Sequence, residues 1–223
     1  MASVLIEVAD INLTNLCNAG CPQCQRTSPY DLHTDIDLPL TTWSLEDFKT
    51  YFPKNTLDDL KEYSFCGTYG DPLMAKDIEP IVYYIMDNSV AKVIITTNGS
   101  IRNGDFYIRL GEYCGRRLSF VIDVDGTTEE MHQKYRRRTS LKKSLAALNA
   151  ISKTKAIPLS QTVLFKHNEM YKEEIEQMAK ANGSHFHVSY PSDRFDDGGI
   201  FRFQNENGDA EILERAVYVQ NSM

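Results

Sequence analysis

Three of the five cysteines in this 223-residue chain fall within eight positions, in Asn15-Leu16-Cys17-Asn18-Ala19-Gly20-Cys21-Pro22-Gln23-Cys24. The spacing is C-x3-C-x2-C, directly after an apolar stretch that reads as a strand. Thiolates this close in sequence converge on one place, and thiolates converge on soft metal ions or iron–sulfur clusters. A structural zinc site takes four closed ligands, and no fourth cysteine stands nearby. His33 could complete such a site, so a zinc-binding interaction module, with Tyr135 to Lys143 as a basic strip, is the alternative reading. The ferredoxin run C-x2-C-x2-C-x3-C-P has a different spacing and also needs a fourth thiolate.

The remaining cysteines, Cys66 and Cys114, read as ordinary small apolar residues. Cysteines clustered in one loop, rather than spread as a bridge framework, place the chain in a reducing cytoplasm. Met1 to Glu7 has no basic n-region and too short an apolar core for a signal peptide. No run approaches the ~18 apolar residues of a membrane span. Twenty-four basic against 31 acidic residues give a net charge of −7, which argues against nucleic-acid binding over the whole surface.

Strand-like and helix-like periods then alternate along the chain. Strands are expected over Leu5–Leu13, Tyr63–Cys66, Lys92–Thr96, Leu118–Ile122, Pro158–Phe165 and His185–Tyr190. Helices are expected from Ser44, then over Ala75–Asn88, Asp105–Tyr113, Thr128–Tyr135, Ser140–Ile151 and Glu169–Asn182. In the second, Ile78, Ile81, Val82 and Ile85 fall on one face, and Pro80 lies in the first turn, where its missing N–H is harmless. Regular alternation of this kind means a parallel sheet with right-handed crossovers. After Pro191 the pattern changes to Phe201-Arg202-Phe203 and Ile212-Leu213, a hairpin expected around an Asn-Gly turn. Polar, glycine-bearing stretches follow the first five strands at their C-terminal ends, the face where parallel α/β proteins gather their sites.

The cysteine spacing resembles the cluster loop of the radical S-adenosylmethionine (radical SAM) enzymes, and further motifs extend the resemblance over roughly residues 5 to 190. Tyr69-Gly70-Asp71-Pro72 is similar to that family's Gly-Gly-Glu-Pro, with Tyr69 and Asp71 as departures. Thr96-Thr97-Asn98-Gly99 resembles its Thr-Asn-Gly. Asp123-Val124-Asp125-Gly126 with Tyr135-Arg136 resembles its Ser-Ile-Asp-Gly and Tyr-Arg pairing, Asp123 replacing serine. Gln23 stands where the family usually has an aromatic residue.

The resemblance implies an α/β fold, a partial (βα)6 barrel over residues 1–190, with residues 191–223 as a short hairpin-like C-terminal extension rather than a separate domain. It implies one 4Fe–4S cluster on Cys17, Cys21 and Cys24 and an S-adenosylmethionine site. Gly70, Asp71 and Pro72 would serve the methionyl amino group, Thr97, Asn98 and Asp123 the ribose, and Arg136 the carboxylate. Lys166, His167 and Asn168 would face substrate or adenine. Arg137 and Arg138 read as a solvated basic patch, and His185 and His187 as a hydrogen-bonded pair on one strand face. The implied chemistry is reductive cleavage of S-adenosylmethionine and hydrogen-atom abstraction from a peptide or protein, or from a small molecule such as a deazapurine precursor. A flavodoxin- or ferredoxin-type donor would supply the electron. With no cysteine after Cys114, the chain reads as a minimal stand-alone member without an auxiliary-cluster domain, or as part of a longer protein.

Overall fold

The computed structural model describes residues 7–33, 39–189 and 194–217. Six strands form one sheet: β1 (Val8–Asp10), β2 (Glu62–Phe65), β3 (Lys92–Thr97), β4 (Leu118–Asp123), β5 (Ile157–Val163) and β6 (His185–Ser189). They lie in chain order and every pair is parallel. The helices α1 (Leu45–Tyr51), α2 (Ile78–Asn88), α3 (Gly104–Cys114), α4 (Glu129–Tyr135), α5 (Leu141–Ile151) and α6 (Lys172–Ala181) fall in the connections. β1 and β6 are the two edges of the sheet, so the barrel is partial.

Local chemistry explains where the helices begin. Ser44 and Asp47 form a reciprocal capping box at α1, and Asn103, Thr128 and Ser140 cap α3, α4 and α5. Each satisfies an N–H that the first turn leaves orphaned. At α5 the Glu129 carboxylate adds acceptors for Leu141 N (2.9 Å) and Lys142 N (3.0 Å), as the positive end of a helix favours. Pro80 takes the third position of α2. The apolar faces of α1, α2, α3 and α5 cover the strands in one core that includes Phe48, Tyr63, Phe65, Ile81, Ile95 and Phe120.

The first strand is shorter than the sequence suggests, three residues; Leu5 and Ile6 lie outside the described residues. β5 ends at Val163, two residues before its apolar run does. Leu164 and Phe165 stay buried but leave the sheet, and Phe165 instead bridges Arg215.

β7 (Ile200–Gln204) and β8 (Ala210–Glu214) form an antiparallel hairpin. Its connection is the five residues 205–209, not a two-residue Asn-Gly turn. Gly208 alone in it has positive φ, +85°, whereas the two-residue type I′ turn that Asn-Gly favours needs positive φ at both central residues. Asn205 closes the loop with its side chain, accepting from Asn207 N and Asp209 N, both at 2.9 Å. The boundary expected at 190/191 lies outside the described residues. No helix among the described residues is long and apolar enough to cross a membrane.

Candidate active site

The loop after β1 has no ladder to hold it, and a buried cation does that work instead. Arg26 reaches back so that Nε donates to Asn15 O (2.7 Å), Nη2 to Cys17 O (3.4 Å) and Nη1 to Ala19 O (3.5 Å). Asn15 ties the loop outward, accepting from Thr41 N at 2.7 Å and donating to Pro39 O. Cys24 N donates to Cys21 O (3.0 Å) and Thr27 N to Cys24 O (2.9 Å), which coils the second half of the motif. Cys21 is buried, and Cys17 and Cys24 are half-buried.

Donors surround two of the sulfurs. Ala19 N lies 3.4 Å and Asn98 Nδ2 3.9 Å from Cys17 Sγ, and Arg136 Nη1 lies 3.9 Å from Cys21 Sγ. Burial pushes the Cys17 thiol up to about 11, nearby Asp71 adding to it. Burial drives Cys21 further in the same direction, and Cys24 and Cys17 contribute. Burial thus favours the protonated thiol at Cys17 and Cys21, whereas a coordinating metal deprotonates a thiol outright. Among the described residues no three Cys, His, Asp or Glu side chains close around a single ion, and His33 is exposed.

Gly70 and Asp71 dock the next loop onto the cysteine loop. A Cβ at Gly70 would meet Thr14 O and the Asn15 backbone, so only glycine permits this approach. Asp71 N donates to Leu16 O at 2.8 Å. The buried Asp71 carboxylate is engaged from three directions, by Thr97 Oγ1 (2.8 and 2.9 Å), Asn98 N (2.9 Å) and Leu73 N (3.0 Å). Burial raises its pKa and these bonds oppose the rise. Its oxygens fasten the end of β3 to this loop. Pro72 opens a short 3₁₀ turn behind it. Asn98 carries the connection on, donating through Nδ2 to Asn18 Oδ1 at 2.8 Å.

Arg136, at the end of α4, turns inward. Nη1 lies 2.9 Å from Asp123 Oδ2 and Nε 2.5 Å from Asp125 Oδ2. Asp123 also accepts from Gln161 Nε2 (2.7 Å), its partner across the β4–β5 register. Asp125 is fully buried and accepts from Val163 N (2.5 Å) and Thr162 Oγ1 (3.2 Å). Burial is the main force pushing the Asp123 carboxyl up to about 7; Arg136 opposes it and Asp125 adds to it. His132 supports this group from behind. Its Nδ1 accepts from Asp125 N (3.1 Å), so Nε2 carries the proton and donates to Thr139 Oγ1 (3.0 Å), whose hydroxyl donates to Arg136 O (2.7 Å). Burial lowers the His132 pKa to about 4, which suits the neutral ring that this relay requires.

The three elements enclose a cavity of about 510 Å³. Of the residues expected at the site, Cys17, Cys21, Cys24, Gly70, Asp71, Thr97, Asn98, Asp123 and Arg136 line it. Pro72, Lys166, His167 and Asn168 do not. Lys166 is exposed and pairs with Glu214 at 2.7 Å, and His167 stacks on Phe165 with centroids 5.7 Å apart. Buried Asn168 donates to Asp125 O and Val163 O, both at 3.0 Å, closing the turn after β5. Because β5 ends early, Gln161 and Val163, two apart and on one strand face, line the cavity in their place. Sequence reasoning also passed over Gln25, Thr27, Thr68 and Ser189, and treated Cys66 as mere packing; all five line the cavity. Gln23 is buried against it. His185 and His187 are exposed on β6.

Arg137 is not solvated as expected, while Arg138 is exposed and stands near an acid. Arg137 pairs with Glu211 and lies 3.6 Å from Glu206, and Arg138 lies 3.8 Å from Glu206. Two of the cations in the basic strip expected over Tyr135 to Lys143 thereby face the chain's own acids.

A six-stranded parallel βα sheet with a three-cysteine loop at the C-terminal ends of its strands defines an enzyme class. The family model for the radical SAM superfamily matches residues 11–182, and the chain belongs to that superfamily. No curated protein matches it by sequence. Solved structures share the fold. Streptococcus suis SuiB bound to S-adenosylmethionine superposes with a TM-score of 0.67 at 15% identity, over 84% of this chain and 41% of that one. Native anSMEcpe with bound AdoMet gives 0.64 at 16%, over 85% and 52%. Methylornithine synthase (PylB) gives 0.62 at 12%, over 83% and 53%. The chain thus spans about half the length of these structures, or less.

Proposed function

We propose that Cys17, Cys21 and Cys24 hold one 4Fe–4S cluster beside a cavity that binds S-adenosylmethionine for hydrogen-atom abstraction from a peptide or protein. The observation that carries this is three neighbouring thiols on the wall of the cavity that Asp123 and Arg136 also line. Thiols that each take a different iron need not close around one ion, which fits their arrangement better than a zinc site does. When bound, the cluster supplies the electron that splits the sulfonium carbon–sulfur bond, giving methionine and a 5′-deoxyadenosyl radical. An outside flavodoxin- or ferredoxin-type protein is the proposed electron source.

The chain's own part is binding and orientation. Asp123 and Asp125 set two carboxyl groups against one guanidinium, and ionisation of Asp123 gives a local excess of negative charge that favours a ligand with a sulfonium and an ammonium. Asp123, steered by Gln161, serves the ribose hydroxyls, with Thr97 and Asn98 nearby. The bonds of Arg136 to Asp125, Asp123 and the Cys21 sulfur run from Nε and Nη1; a guanidinium carries five N–H donors, and the remainder serve the carboxylate. Gly70, on the cavity wall, offers the methionyl amino group its backbone carbonyl. Cys66, Thr68, Gln25 and Ser189 form a neutral polar remainder of the wall, suited to a peptide. SuiB bound to the precursor peptide SuiA and anSMEcpe bound to a peptide share the fold, which supports that substrate class.

The test is anaerobic purification and reconstitution, followed by metal analysis and an assay for 5′-deoxyadenosine. Iron with acid-labile sulfide, and slow 5′-deoxyadenosine formation on reduction, are expected. Alanine at any one of Cys17, Cys21 or Cys24 should abolish the product. Zinc in place of iron, or product from all three single variants, would refute the reading.

A further inference from the structure

The hairpin β7–β8 contributes nothing to the parallel sheet, yet it is fastened to the cysteine loop, in part directly and in part through the arginines that follow α4. Phe201, Phe203 and Leu213 pack with Ala19, Cys21 and Leu32 in a second, smaller core. Gln204 N donates to Pro29 O at 2.8 Å, and Arg194, at the hairpin's entrance, donates through Nη1 to Cys24 O at 2.8 Å. Glu211 pairs with Arg137, whose own carbonyl accepts from Gly20 N at 3.1 Å. Glu206 stands against Arg137 and Arg138. The three arginines are divided in purpose: Arg136 faces Cys21 and the aspartates, while its two successors hold the hairpin from the other side of the same loop.

We propose that the hairpin is a clamp on the cysteine loop, closed by Arg137 and Glu211, which keeps Cys21 and Cys24 out of solvent. Arg137 and Glu211 are then positioning residues for the thiols. The side chains of the pair are 18% and 31% exposed, so the attraction is stronger than that of a fully solvated pair. Clamping matters here because the loop has no strand neighbours of its own. For the enzyme the consequence, which rests on the cluster reading above, is protection of the cluster from oxidant.

The full-length reduced protein, without metal, is alkylated and the rate at each cysteine read by peptide mass spectrometry. Glu211→Lys, which puts two cations face to face, should speed labelling of Cys21 and Cys24 by about tenfold through local opening. Cys114, buried in the main core, should keep its rate. Arg137→Gln should give a smaller acceleration, and Arg137→Lys should restore the parent rate because it restores the charge. If Glu211→Lys does not fold, the single variants Arg137→Gln and Glu211→Gln decide by the same measurement. Unchanged labelling of Cys21 and Cys24, or equal acceleration of Cys114, would overturn the clamp. In reconstituted protein, Glu211→Lys should also bleach faster in air. A parent that takes up no iron refutes the cluster, while the labelling rates still decide the clamp.

Discussion

The strand wall of the cavity and the cysteine wall face each other across a few ångströms but are held by different forces. Thr97 and Asp123 end β3 and β4 and Gln161 lies within β5, strands whose backbone groups are paired on both sides and whose inner faces belong to the large core, and Asp71, in the loop after β2, is bonded to the end of β3. Cys17, Cys21 and Cys24 stand in a loop held by one buried guanidinium, by contacts with Asn15 and Asn98, and by a small core shared with the hairpin. Ladders and apolar contacts give a wall that opens only with global unfolding, whereas a loop held by a few polar contacts can open by itself. The comparison teaches that a site can have a rigid half that aims the ligand and an openable half into which a cluster can be built.

Replacing Arg26 is the sharpest way to break that contrast. Arg26→Gln leaves carbonyls of Asn15, Cys17 and Ala19 short of donors, each worth about 1–3 kcal/mol when buried. Iron uptake should fall severalfold while the urea midpoint barely moves. Asp71→Asn, on the opposite wall, should instead destabilise the entire barrel by about 2 kcal/mol and lower its urea midpoint, since an amide presents donors to Thr97 and Asn98. A common loss of midpoint in both variants would show that the two walls unfold as one.

Acid should act next most strongly, through His132 behind the strand wall. Its folded pKa, about 4, lies below the ordinary 6.5, so between those values the unfolded chain binds a proton that the folded chain does not. Stability therefore falls as pH falls through this window, by up to about 3 kcal/mol. Asp123, raised to about 7, works in the opposite sense, contributing stability that is lost as pH rises from about 4 to 7. Comparison with His132→Asn, which retains an acceptor for Asp125 N, isolates the histidine: the parent's advantage at pH 7 should shrink toward pH 4. A constant difference would remove His132 from the account.

Arg136→Lys keeps the charge but loses the planar fork that spans Asp123, Asp125 and the cavity. It should weaken S-adenosylmethionine binding by about 1–3 kcal/mol, read by titration calorimetry, with iron content unchanged. Equal affinities would confine Arg136 to holding the aspartates. The smallest effect is expected for the double variant Cys66→Ala, Cys114→Ala, which should keep about four irons per chain. Half the parent's iron would show that these thiols hold a second cluster.

How much of this was legible beforehand follows from how local each signal is. Helix starts were readable from Ser44, Thr128 and Ser140, because a cap acts within three residues. The expected end of β5 ran long because Val163, Leu164 and Phe165 form one apolar run. Phe165 is buried under the hairpin and bridges Arg215, a partner fifty residues away. That displacement is why Lys166, His167 and Asn168 looked like site residues and Gln161 and Val163 did not. Cys66 carried no sequence signal beyond its place at the end of a strand.

Residue order by itself determined the alternating strands and helices, the triplet of thiols and the glycine-bearing turns, because periodicity, capping and close spacing are properties of neighbours in the chain. Only the tertiary structure decided that Asp71 braces β3, that Asp123 and Asp125 share one guanidinium, and that Arg137 and Arg138 fasten a hairpin. A charged side chain takes its role from whichever opposite charge the fold brings within reach, and those partners lie between 11 and 74 positions away along the chain.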